Sequence, residues 1–275
     1  MSTLTEELTE EIEAENYSSP SDLDGFFKSL AVADESVLLL DFDGTLAPFR
    51  IDPSQVRPWS GVAELLGRIQ HDGCTRLAII TGRPAAYVTA QLGMLDPPEI
   101  WGLHGAERSY PDGRLEQEEL SANKQALIDA ARMAIREAEL GVRIEEKRNA
   151  VVVHWRGKPA RKAETIRNRA LTSLVYLADE PGVKLLQFDG GLEFRVGRNK
   201  GDAVRMILDE IPKGIPVAYL GDDATDEDAF TALAGRGLGV LVRREWRPTA
   251  ATVWLRPPTE LRVFLSSWLR ATSSR

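Results

Sequence analysis

The sequence has one cysteine, Cys74, so it can build neither an intramolecular disulfide nor a thiolate zinc site, and a reducing compartment suits it. Histidine is nearly as scarce: His71, His104 and His154 stand far apart, without the spacing of a metal site. No apolar run approaches the ~18–20 residues that a membrane span needs, and no basic and apolar leader opens the chain. Positive charge is in deficit, with 34 Lys and Arg against 42 Asp and Glu and a net charge of -8, which excludes a general attraction to nucleic acid or anionic lipid. Neither G-x-x-x-x-G-K-[ST] nor G-x-S-x-G occurs, so a P-loop and a hydrolase elbow are absent. Gly235, Gly237 and Gly239 precede a strand pattern, where a dinucleotide site needs them to follow one. These absences predict a cytoplasmic protein with no nucleic-acid, membrane or obligate protein partner, in which any phosphate is met by a local site.

What is present is an ordinary globular composition, 43% apolar and 28% charged, over 275 residues, which predicts one large domain or a core with an inserted unit. Residues 1–24 carry eight acidic groups and no Lys or Arg, with a Ser-Ser-Pro-Ser break at 18–21, and predict a flexible acidic tail over 1–34. Unbroken apolar runs follow at Val37–Leu40, Leu77–Ile80, Val217–Leu220, Leu238–Val242 and Val253–Leu255, the pattern of strands buried on both faces. Helical patterns lie between them, such as Ala203, Val204, Ile207, Leu208 and Ile211, so the expected core is a doubly wound α/β fold with a parallel sheet. The middle reads differently. Ser121 can cap a helix, two short strand candidates follow at Val142–Glu145 and Ala150–Trp155, and a second helix and strand pair repeat that order. The expected division is a core of 35–111 and 195–275 with an inserted α+β cap at 112–194.

Chemistry concentrates where the apolar runs end. Asp41-Phe42-Asp43-Gly44-Thr45 follows the first run, and two carboxylates two residues apart in extended chain share one face. A polar strand-to-turn junction would also produce that pair. A second acidic cluster, Gly221-Asp222-Asp223-Ala224-Thr225-Asp226-Glu227-Asp228, ends another run; helix capping by Thr225 or Asp226 explains one Asp there, but not the pair beside Gly221. Oxygen ligands without a suitable His or Cys favour Mg²⁺, with Ca²⁺ the lesser option. Thr81-Gly82-Arg83-Pro84 closes the second run and offers a hydroxyl, a glycine backbone and a guanidinium to phosphate oxygens, while Lys200 precedes a helix and could set a point charge against phosphate or carboxylate.

Together DFDGTLAP, TGRP, the Lys200-Gly201 pair and GDDATDEDAF resemble the haloacid dehalogenase superfamily of phosphatases. GDDATDEDAF, with Gly-Leu-His-Gly at 102–105, is similar to its trehalose-6-phosphate phosphatase branch, over a stretch from about Val37 to the C-terminus. The resemblance implies a Rossmann-like core with an inserted cap. It also implies Asp41 as nucleophile, Asp43 as general acid and base, Thr81 and Lys200 as holders of the phosphoryl group, Mg²⁺ on Asp41, Asp43 and Asp222, and Asp223 and Asp226 as supporting carboxylates. Gly82, Arg83, His104, Glu145, Lys147, Arg156 and Glu193 are the implied substrate contacts. Two positions depart from the family's pattern: Asp189 stands where a Lys is usual, with Lys184 a candidate replacement, and Val196 stands where a Pro is usual. The expected substrate is a sugar phosphate, trehalose 6-phosphate first, with another sugar phosphate or a silent sugar-phosphate sensor as alternatives.

Overall fold

The structure, a computed structural model, describes residues 20–50, 52–71, 74–140, 144–188 and 190–273. It divides into two compact units, one formed by the chain up to Leu115 together with Asn199–Arg275, the other by Glu116–Arg198. These limits lie four residues beyond each expected cap boundary. Among the described residues no helix is long and apolar enough to cross a membrane.

The first unit is built on strands β1 (Ser36–Leu40), β2 (Thr75–Ile80), β3 (Glu99–Gly102), β4 (Glu107–Ser109), β10 (Val217–Gly221), β11 (Leu238–Val242) and β12 (Val253–Leu255), ordered β12-β11-β10-β1-β2-β3-β4, with β5 (Leu115–Gln117) continuing the edge where the unit ends. From β12 to β3 all neighbours are parallel, and β4 joins antiparallel. β1 is fully buried, and its residues alternate between two cores, as a strand covered on both faces must. Leu38 and Leu40 face helices α1 (Pro20–Val32), α2 (Val62–His71), α3 (Ala85–Leu92) and α8 (Thr259–Ser273) through Leu30, Leu66, Val88 and Trp268. Val37 and Leu39 face α6 (Lys200–Asp209) and α7 (Glu227–Leu233) through Val204, Ile207 and Phe230.

The structure corrects the expected tail over 20–34. Leu23, Phe26, Phe27 and Leu30 recur at the spacing of one helix face, and α1 lays them on α8: Leu30 is fully buried, and the Phe26 and Phe27 rings lie 5.7 Å from Trp268 and 5.3 Å from Phe264. Acidity counted over the whole N-terminal stretch hides that stripe. The rest of the expected tail, residues 1–19, lies outside the described residues, as do Asp189 and the start of the strand expected from Val142.

The second unit pairs an antiparallel sheet ordered β6-β7-β9-β8 with helices α4 (Ala122–Glu137) and α5 (Ala160–Leu174). Its strands are β6 (Ile144–Glu146), β7 (Ala150–His154), β8 (Val183–Phe188) and β9 (Gly191–Val196). Ser121 caps α4, its hydroxyl accepting from the Lys124 amide. Val151, Val153, Leu192, Phe194 and Val196 pack on the two helices. Alternation then sends Val152, Glu193 and Arg195 to the opposite face.

Candidate active site

The strand order reverses between β1 and β10, the place where open α/β sheets leave a crevice at the carboxyl ends of their strands. Leu40 lies opposite Leu220 in that pair, and the Asp41 amide donates to the Leu220 carbonyl at 2.8 Å. Asp41 and Asp222, the residues after each strand, therefore come together. Lys200 opens α6, whose start is fixed by reciprocal bonds between Asn199 and Asp202. From there its Nζ donates to Asp41 Oδ1 and to Asp226 Oδ1, each at 2.7 Å. Asp226 is saturated. Its Oδ1 also accepts from the Tyr219 hydroxyl at 2.5 Å, and its Oδ2 accepts the amides of Asp222 and Asp223 at 2.9 and 3.0 Å. Asp223 caps the turn over Ala224–Asp226, accepting from the Thr225 amide and hydroxyl, while Asp226, one of the two caps the sequence offered, stands at the N-cap of α7 without a capping bond from its side chain.

Three buried carboxylates, Asp41, Asp222 and Asp226, and the half-buried Asp223 thus lie around one buried ammonium, which bonds two of them. Burial pushes Asp41 up to about 8, against the pull of Lys200 and with help from Asp226 and Asp223. Burial raises Asp222 well above its ordinary range, with Asp223, Asp41 and Asp226 adding to it, and burial with Asp226 raises Asp223. For Asp226 burial is outweighed by Lys200, Tyr219 and the backbone amides, so it alone is lowered. Lys200 is raised, since Asp226 and Asp41 outweigh its burial. The ion pair belongs first to Asp226, and Asp41 and Asp222 are left short of positive charge.

Atoms of Asp41, Asp222 and Asp226 lie within 4.8 Å of one another. With every Asp226 oxygen engaged, Asp41 and Asp222 are the members with ligating capacity to spare. Asp222 lies in a cradle that a Cβ would fill: one built on Gly44 would be 2.1 Å from Asp222 Oδ2. Oxygen-only donors, a charge deficit and this close fit suit a hard divalent cation. The Asp43 carboxylate, expected among the ligands, is engaged by Arg83. Arg83 holds it by two bonds, Nε to Oδ2 at 2.8 Å and Nη2 to Oδ1 at 3.2 Å, and lies over the Tyr87 ring at 5.1 Å.

Thr81 follows β2, buried, and its Oγ1 accepts the Arg83 amide at 3.1 Å while its carbonyl accepts the His104 amide at 2.8 Å. A Cβ on Gly82 would come within 2.6 Å of His104 Nε2, so the imidazole lies directly on that glycine. His104 itself is in the left-handed region at φ 59°. The phosphate-binding turn expected of Thr81, Gly82 and Arg83 is thereby packed against His104.

In the second unit Glu145 and Glu193 both lie opposite Val152, one on each neighbouring strand. Lys147 Nζ is 3.5 Å from Glu193 and 3.9 Å from Glu145, Arg195 pairs with Glu193 at 3.3 Å, and His154 Nε2 meets Glu145 at 2.9 Å. The Arg156 amide donates to the Gly190 carbonyl at 3.1 Å, and its side chain lies over that turn.

The trehalose-phosphatase family model matches residues 39–253. The chain belongs to the trehalose-phosphatase family. It is 32% identical over 242 residues to the trehalose-phosphate phosphatase of Mycobacterium marinum, covering 82% of this chain and 60% of that protein. Its counterpart in Mycobacterium tuberculosis is 30% identical over 254 residues, covering 85% and 61%. The chain thus spans about 60% of the length of these curated relatives. Among solved structures, Aspergillus fumigatus trehalose-6-phosphate phosphatase aligns with a TM-score of 0.65 at 25% identity over 92% of this chain and 98% of that one. The C-terminal domain of the Candida albicans trehalose-6-phosphate phosphatase gives 0.74 at 22% identity over 91% and 96%, a likeness of fold.

Three residues around this candidate site take parts that the motifs pointing to it do not assign. Tyr219 carried a signal, a hydroxyl inside an otherwise apolar buried strand, which must find a partner. Gly44 reads from the sequence only as a turn residue, and its contact with Asp222 spans 178 positions of chain, as 222 less 44. Arg247, which binds the Asp222 and Asp223 carbonyls, carried no signal.

Proposed function

We propose that this member of the family removes the phosphate from trehalose 6-phosphate, with Mg²⁺ held by Asp41 and Asp222, in the cytoplasm. The observation that carries the reading is Lys200 bonded to both Asp41 and Asp226 at the strand-order switch, beside an Asp222 that needs a further positive charge. Asp41 Oδ attacks phosphorus in line as the bond from phosphorus to the sugar oxygen breaks, giving an aspartyl-phosphate. Lys200 stabilises the charge on the transferring group from a fixed position. Asp43, once released from Arg83, protonates the departing sugar oxygen, then takes the proton of the water that cleaves the aspartyl-phosphate. A cation held by Asp41 and Asp222 would supply charge neutralisation, favouring the ionised form of Asp41. Arg83, Thr81, Gly82 and His104 contact the phosphate in the first unit. Glu145, Lys147 and Glu193 read sugar hydroxyls in the second unit, with Arg156 from its neighbouring turn.

Phosphate release from trehalose 6-phosphate, sucrose 6-phosphate, glucose 6-phosphate and an aryl phosphate, each with Mg²⁺ and with chelator, tests this. A strong preference for trehalose 6-phosphate that needs Mg²⁺ is expected. Turnover of aryl phosphate without that preference would overturn the substrate, and no turnover at all would overturn the enzyme.

A further inference from the structure

The acidic loop after β10 is gripped from outside as well as from within. Arg247 Nη2 donates to the Asp223 carbonyl at 2.6 Å and its Nε to the Asp222 carbonyl at 3.4 Å, while Nη1 pairs with Glu227 at 2.6 Å and donates to the Pro248 carbonyl at 2.9 Å. Arg243 Nη1 adds a second contact to the Asp222 carbonyl at 3.4 Å. On the inner side the Asp222 and Asp223 amides donate to Asp226 Oδ2. The peptide joining Asp222 to Asp223 is therefore held at both ends, its carbonyl by arginine and its N–H by Asp226. Polarisation along such a chain strengthens each bond in it. A shift of the backbone at Asp222 would carry its side chain out of the Gly44 cradle.

We propose that Arg247 is a positioning residue for the cation site: by fixing the peptide planes at Asp222 and Asp223 it aims the Asp222 carboxylate, and so sets the affinity of Asp41 and Asp222 for Mg²⁺. This rests on the reading of Asp41 and Asp222 as a cation site. Charge alone acts in the opposite sense, because a guanidinium near the site repels a divalent cation and its removal should tighten binding. The direction of the change therefore separates the two effects.

Calorimetric titration of Mg²⁺ into the wild type, Arg247→Lys, Arg247→Ala and Glu227→Gln tests it. Lys keeps the charge but loses the planar fork, so both Arg247 variants should bind Mg²⁺ about tenfold more weakly, the order of effect seen when an outer partner of a metal ligand is lost. Glu227→Gln, which weakens the ion pair that anchors Arg247 and leaves an amide oxygen to accept from the Ala250 amide, should give a smaller loss in the same direction. Melting curves in chelator and in Mg²⁺ supply the second readout: the gap between them should narrow in the Arg247 variants, whereas a purely structural residue would lower both curves equally. Unchanged affinity in Arg247→Lys, or tighter binding in Arg247→Ala, would overturn the proposal. If both Arg247 variants fail to fold, unchanged affinity in Glu227→Gln overturns it. No Mg²⁺ binding by the wild type would instead overturn the cation site itself.

Discussion

Gly44→Ala is the smallest change that should dismantle the site. Gly44 has φ 94°, where a Cβ is disfavoured by about 1–2 kcal/mol through contact with the following carbonyl. The larger effect is steric. The added Cβ would meet Asp222 Oδ2 at 2.1 Å, Cγ at 2.3 Å and Oδ1 at 2.7 Å, and ordinary contact begins near 3.4 Å, so the carboxylate must retreat by about 1.3 Å, as 3.4 less 2.1. The Asp222 backbone is held, its amide by Asp226 and its carbonyl by Arg247, so the carboxylate can retreat only by turning about its own side-chain bonds, out of its present position beside Asp41. A displacement of about 1 Å in a catalytic arrangement costs on the order of a hundredfold in rate. Gly44→Ala should therefore lose about two orders of magnitude in phosphate release and bind Mg²⁺ more weakly, with a melting temperature lowered by the strain. Wild-type turnover and wild-type Mg²⁺ affinity in a folded Gly44→Ala protein would refute the placement of Asp222 against Gly44.

Leu30→Ala should destabilise the protein by about 2–5 kcal/mol in denaturant melts if α1 seals the core as placed, and no change would return that segment to the role of a tail. Lys200→Met strips the ammonium from Asp41 and Asp226, both buried, and should cost about 3–5 kcal/mol at pH 8 but less at pH 5, where the carboxylates can protonate. Asp41 is raised from 3.8 to about 8, so its protonated form is favoured by the fold: its contribution is complete below pH 4 and disappears as pH rises through 8. In chelator the melting temperature should fall across that window, the slope should flatten in Asp41→Asn, and Mg²⁺ should raise the melting temperature most at the alkaline end.

The parallel core was legible because β1, β2, β10, β11 and β12 are buried on both faces and appear as unbroken apolar runs, each flanked by polar turns. β3 was missed: Glu-Ile-Trp-Gly has only two apolar side chains, and its Glu99 is buried in an ion-pair network with Arg76 and Arg108 that no local pattern announces. The acidic motifs pointed to Asp41, Asp43 and the Asp222–Asp223 pair as neighbours, since strand ends in this fold converge, while Asp226 entered the site only through the family resemblance. They could not give the division of labour among them, which depends on which carboxylate collects the amides of its own loop and the hydroxyl of Tyr219. The Asp43–Arg83 pair spans two different strand ends, and its two bonds are a matter of side-chain geometry rather than order along the chain.

The most direct test of the account is to acid-quench the protein early in its reaction with trehalose 6-phosphate and Mg²⁺, then map any phosphoryl group by peptide mass. A phosphoryl group on the peptide carrying Asp41, absent from the Asp41→Asn protein along with turnover, is the predicted result. Turnover of trehalose 6-phosphate that persists in Asp41→Asn would contradict the account.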